Sequence, residues 1–186
     1  MMIEARLQPV ESPSAWRQDS LESKNNWCLT LSAAQRTEVL NAVAQAQRRY
    51  CAVTDLQCSD FPLPTLAETL LGLAPRLEGG LGFHMLSNLP VDELDDEQNL
   101  LMLWGLGTYV GEAERQDKAG ALLHIVTDTG QSVDTTDNVR GFQTNNELEF
   151  HTDGADVFAL MCVRQGRSGG ESRLVSSTAV FNELVT

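Results

Sequence analysis

Basic residues are few in this sequence: 13 Lys and Arg face 26 Asp and Glu, leaving a formal net charge of −13. A phosphate backbone would be repelled by such a surface, so nucleic-acid partners are excluded as a class. Long apolar runs are missing too. None approaches the ~20 residues of a helical membrane span, which excludes that class of membrane protein. The opening MMIEARLQPVESPS has neither the basic nor the apolar region of a secretory signal. Cysteine is limited to Cys28, Cys51, Cys58 and Cys162, with no C-x-x-C pair among them. That spacing excludes a zinc ribbon or a disulfide framework, and the four are expected as reduced, mostly buried thiols of a cytoplasmic protein. Histidine is scarcer still, so imidazole chemistry must come from His84, His124 or His151. What remains is ordinary globular material, 42% hydrophobic and 21% charged, of a length that suits one domain with a substantial core.

Residues 1–31 form an N-terminal extension rich in Ser, Pro and Asn, with Trp16 and Trp27 expected to anchor it onto a body formed by 32–186. Residues 27–31 alternate like a short strand. Ser32 and Gln35 have capping-box spacing and open a helix whose apolar face is expected at Val39, Leu40, Val43, Ala44 and Tyr50. After the break FPLP at 61–64, Thr65 and Glu68 repeat that spacing, and Leu66, Leu70, Leu73 and Leu77 form a core stripe that stops at Gly79-Gly80. Residues 81–87 alternate again, with Leu81, Phe83 and Met85 on one face and His84, a surface or hydrogen-bonded histidine rather than a ligand, on the other.

The acidic run 92–97 needs no bound cation, because carboxylates favour the positive end of a helix. That helix is expected to reach about Gly111 and to bury Trp104, with Gly105 and Gly107 allowing close approach to a sheet. GLGTYVG, at 105–111, lacks the spacing and preceding strand of a dinucleotide fingerprint. Residues 122–127 form a strand candidate carrying His124, followed by a polar loop at 128–138.

Chemistry concentrates in 142–177. At its centre stands His151-Thr152-Asp153. If 147–153 is extended, alternation sends His151 and Asp153 to one face with Cα atoms ~6.6 Å apart, and an imidazole and a carboxylate can then share one metal ion. Such a pair, without a thiolate at useful spacing, suits a two-histidine-one-carboxylate Fe(II) site better than structural zinc. The competing reading is a strand-end histidine followed by an Asp153-Gly154 turn with no metal. Asn145 and Glu147 share the parity of the pair and are candidates for a substrate pocket, or for satisfying backbone groups at a strand end. Beyond them, VFALMCV at 157–163 reads as a buried strand, QGRSGG at 165–170 as a glycine-bearing turn and ESRLV at 171–175 as a second short strand. Ser176 or Ser177 is the expected N-cap of a helix carrying TAVFNEL.

The succession NNELEFHTDGAD, apolar strand, SGGES, SSTAVFNEL resembles the TauD/TfdA family of Fe(II)/2-oxoglutarate-dependent dioxygenases, with weaker likeness upstream through NVRGFQTN and the Trp104 helix, from about Trp16 onward. The resemblance implies a double-stranded β-helix, or jelly roll, with flanking helices. It implies an oxygenase that hydroxylates a C–H bond of a small molecule using Fe(II) and 2-oxoglutarate, releasing succinate and CO2. His151 and Asp153 would be two of three iron ligands, Ser172 of GGES would give a hydroxyl to a carboxylate of 2-oxoglutarate, and 128–138 would lie near the site mouth as a lid or as a plain surface loop. The family's second histidine, and the arginine that meets the far carboxylate, have no counterpart after GGES before Thr186. The expectation is therefore a dioxygenase incomplete at its C-terminus and inactive as it stands. The alternative is a non-catalytic remnant acting as a binding protein or homo-oligomer.

Overall fold

A computed structural model describes residues 7–22, 25–49, 52–127 and 147–186. The chain divides into two compact units, one formed by Met1–Gly111 with Ser172–Thr186 and the other by Glu112–Glu171. In the first unit the elements are α1 (Gln18–Glu22), β1 (Cys28–Thr30), α2 (Ala33–Gln47), α3 (Ala67–Leu71), α4 (Leu73–Gly79), β2 (Met85–Ser87), α5 (Asp96–Gly107) and α6 (Ser177–Val185). No helix among the described residues is long and apolar enough to cross a membrane.

The helix starts follow the local signals. Ser32 caps α2 and Gln35 answers it, the reciprocal pairing expected from their spacing. Asp95 and Gln98 form the same box at α5. There the acidic run serves the helix start as expected, preceded by a 3₁₀ turn at Val91–Glu93. Side-chain faces are less local. On α2 the buried positions are Val39, Ala42, Val43 and Ala46, one face at i, i+3, i+4 and i+7, whereas Leu40 is half-buried and Ala44 is exposed. The expected stripe was thus rotated, with the small Ala42 and Ala46 buried on a helix that packs against α5. Tyr50 lies outside the described residues.

Thr65 does not cap α3 in the expected box. The Glu38 side chain on α2 instead accepts from Thr65 N at 2.9 Å, from Leu66 N at 3.1 Å and from the Thr65 hydroxyl. A carboxylate from another helix thereby satisfies the Thr65 amide that Glu68 was expected to serve, and the Leu66 amide beside it. The leucine stripe lies in two helices, for Pro75 has no N–H for the carbonyl of Leu71 and the helix restarts at Leu73. Leu66, Leu70 and Leu73 are buried and Leu77 half-buried, and the stripe stops at Gly79-Gly80 as expected.

On α5, Leu101, Met102, Gly105 and Leu106 are buried and Trp104 is only half-buried, its indole N–H donating to the Leu56 carbonyl at 3.2 Å. The helix ends at Gly107, four residues earlier than expected. Gly105 does allow a close approach, but to the fully buried Phe61 ring rather than to a sheet, and a Cβ at Gly107 would meet open space.

β1 and β2 pair in parallel with Cys28 opposite Met85, Leu29 opposite Leu86 and Thr30 opposite Ser87. Parallel neighbours need a long crossover, which α2, α3 and α4 supply. Asn88 ends β2 in the left-handed region at φ 63° and its amide donates to the Leu31 carbonyl at 2.7 Å. Asn tolerates this conformation better than most residues. Both tryptophans make contacts within the first unit: Trp16 meets Phe83 edge-on and Trp27 meets it at a tilt, with centroids 5.2 and 5.7 Å apart, and Trp16 N–H donates to Leu81 O at 2.8 Å. Ser176 caps α6, accepting from Ala179 N at 2.8 Å, and Asn182 clamps the backbone of Val10 through both its amide atoms.

Mixed helix and strand is thus the class of the fold, with this one two-stranded sheet as the β structure of the described residues. In the second unit the described residues carry neither helix nor strand. The expected strands at 122–127 and 157–163 are not formed, and Ile125, Val126, Phe158 and Leu160 are more than half exposed. The expected strand at 171–175 is likewise not formed. An apolar run becomes a strand only when a neighbour accepts its ladder, and among the described residues none does.

Candidate active site

The segment 147–153 is irregular. The alternation that would place His151 and Asp153 on one face is therefore not enforced by a β ladder. Both side chains are exposed, as is Glu147. His151 Nδ1 lies 2.7 Å from the Glu149 carbonyl oxygen, a contact no sequence signal could reveal because every residue carries a carbonyl. Asn145 and the polar loop 128–138 lie outside the described residues. Ser172 belongs to the other unit and is exposed. Just before it, Gly169 and Gly170 adopt φ of 76° and 80°, a left-handed pair that explains why a glycine doublet stands there and agrees with the expected turn.

The donor chemistry of His151 and Asp153 fits Fe(II). A neutral imidazole and an ionised carboxylate are the nitrogen and oxygen donors such a site uses, and at the surface neither must be desolvated to wait for the ion. Among the described residues no group of three or more His, Cys, Asp or Glu is gathered to hold a metal.

The other histidines are placed differently. His84 precedes β2, its Nε2 buried with no hydrogen-bond partner among the described residues, and burial, with the Arg76 charge second, holds its pKa below the usual imidazole value. That corrects the expectation of a surface or hydrogen-bonded histidine at this nitrogen. His124 Nε2 faces Asp117 Oδ2 at 3.6 Å. The Ala121 amide is the main cause that keeps the Asp117 carboxyl below the ordinary range, so this carboxylate is already engaged in its own turn. Cys162 is exposed and Cys28 and Cys58 half-buried, which corrects the expectation of mostly buried thiols, since the run around Cys162 has no sheet to cover it. In the first unit a cleft of about 220 Å³ runs between Ser14, Trp16, Phe83 and the start of α6.

Residues 44–186 match the family described as taurine catabolism dioxygenase TauD, TfdA family. The chain belongs to the TauD/TfdA family. Both H-x-D and GGES fall inside the matched region. Among curated relatives, FR-33289 synthase of Streptomyces rubellomurinus (strain ATCC 31215) is 28% identical over 184 residues, 99% of this chain and 54% of that protein. The taurine hydroxylase-like protein SAT17 of Stachybotrys chartarum (strain CBS 109288 / IBT 7711) is 26% identical over 177 residues, 92% of this chain and 46% of that protein. The chain spans about half the length of the curated relatives it matches.

Proposed function

We propose that this chain is part of an Fe(II)/2-oxoglutarate-dependent oxygenase that hydroxylates a C–H bond of a small molecule. Family membership across 44–186, with H-x-D and GGES in order inside that region, carries the reading. His151 and Asp153 are two ligands of the iron. Ser172 donates its hydroxyl to a carboxylate of 2-oxoglutarate, and Asn145 and Glu147 line the substrate pocket. Bound there, Fe(II) with 2-oxoglutarate supplies the oxidising chemistry: O2 is consumed, succinate and CO2 leave, and the substrate gains a hydroxyl.

Because the chain covers about half of its curated relatives, this reading assigns the third ligand, the arginine for the far carboxylate and the further jelly-roll strands to the portion of such a protein that these 186 residues do not cover. In that arrangement 1–31 is an extension packed on a partial dioxygenase domain, 32–186. The exposed apolar residues of 157–160 favour a second reading, in which the 186 residues by themselves are a non-catalytic remnant that associates through this uncovered apolar segment.

Titration with Co(II) or Mn(II) as Fe(II) surrogates tests the centre. Binding should be weak with two donors and lost in His151→Ala and Asp153→Ala; equal affinity in all three proteins would remove the site. In a form extended through the missing ligands, Ser172→Ala should weaken 2-oxoglutarate binding by roughly ten- to a hundredfold, the value of a charge-assisted bond of ~1.5–3 kcal/mol, with metal affinity unchanged. An unchanged 2-oxoglutarate affinity would return Ser172 to a structural role. Uncoupled succinate formation should appear in the extended form and not in the 186-residue chain.

A further inference from the structure

The contact between the His151 ring and the Glu149 backbone carries an inference about how the imidazole is prepared. A carbonyl oxygen can only accept, so the nitrogen 2.7 Å from it, Nδ1, must carry the proton. In a neutral ring that leaves the lone pair on Nε2. Free imidazole side chains favour the opposite tautomer, with the proton on Nε2, which would have to be exchanged before Nε2 could bind a metal. Ligating histidines are held in one tautomer by a partner on the second nitrogen, and here that partner is a carbonyl only two residues back along the chain.

We propose that the Glu149 carbonyl is the positioning partner of His151, fixing the Nδ1–H tautomer and presenting Nε2 outward before any metal arrives. Because the link spans two residues, it needs no sheet, and it holds in a segment that has no ladder of its own. The proposal rests on the reading of His151 as an iron ligand, and its test separates the two.

With three histidines in the chain, long-range proton–nitrogen correlation on the histidine-labelled, metal-free protein resolves each ring, and the signals absent from His151→Asn identify residue 151. The expected result is a neutral His151 ring protonated at Nδ1 and unprotonated at Nε2. A ring protonated at Nε2 overturns the proposal. Phe150→Gly loosens the one residue between carbonyl and ring, and since Phe150 is 65% exposed the change removes no core. It should lower the Nδ1–H fraction and weaken Co(II) binding several-fold. An unchanged tautomer ratio would show that the carbonyl does not set it. Nδ1–H at His151 with no Co(II) binding by the wild-type chain would leave the positioning contact standing and sink the iron reading. Co(II) binding by a ring protonated at Nε2 would do the reverse.

Discussion

Adding one methyl group at Gly105 is the sharpest test of the packing that organises the first unit. The Cβ of Gly105→Ala would fall among the atoms of the Phe61 ring, and Phe61 is fully buried. The ring has no solvent to move into. Its own carbonyl accepts from the Tyr109 hydroxyl at 2.6 Å, so a backbone shift at Phe61 also disturbs that bond. Overpacking of this kind costs ~1–3 kcal/mol, and the direct overlap argues for the upper end. Alanine regains ~1 kcal/mol of helix propensity over glycine, leaving a net loss of ~2 kcal/mol. At ~2–4 °C per kcal/mol for a chain of this size, Tm should fall by ~4–8 °C. Gly107→Ala, two residues along the same helix, meets open space and should keep the propensity gain, raising Tm slightly. Thermal melts of the two variants by far-UV circular dichroism give the comparison. A Gly105→Ala protein as stable as Gly107→Ala would refute the idea that Phe61 and α5 meet without spare room.

Two further expectations concern pH. Burial, with the Cys58 side chain next, pushes the Tyr109 phenol up to about 12, so the fold prefers the neutral phenol. The stability this contributes is complete below the ordinary value of about 10 and is lost as pH rises from there through about 12. Phenolate absorbance should show a late-titrating tyrosine that disappears in Tyr109→Phe, and titration of every tyrosine near the ordinary value would contradict the burial argument. For His84 the sign reverses: its lowered pKa means stability is present above about 6.5 and is lost as pH falls through the lowered folded value. Urea midpoints for wild type and His84→Leu should therefore diverge on the acid side, and parallel curves would show that this buried ring does not titrate with unfolding.

The succession from His151-x-Asp153 to GGES and a serine-capped helix was legible in the sequence, and with it the family. Capping at Ser32 and Ser176 was legible for the same reason that those helices start where they do: the hydrogen bonds close over three residues, so the signal and its partner sit in one short window. Decisions that join distant residues were not legible. Glu38 satisfying the amides of Thr65 and Leu66, Gly105 against Phe61, the parallel pairing of β1 with β2 and the rotated face of α2 depend on which elements become neighbours. No local pattern encodes that choice. The runs 122–127 and 157–163 have strand composition, yet composition supplies only a side-chain pattern, whereas a strand requires a second backbone to exchange hydrogen bonds with it. The proposed metal centre shows the same division: the sequence names an imidazole and a carboxylate, and only the folded backbone brings the Glu149 carbonyl oxygen to 2.7 Å from His151 Nδ1.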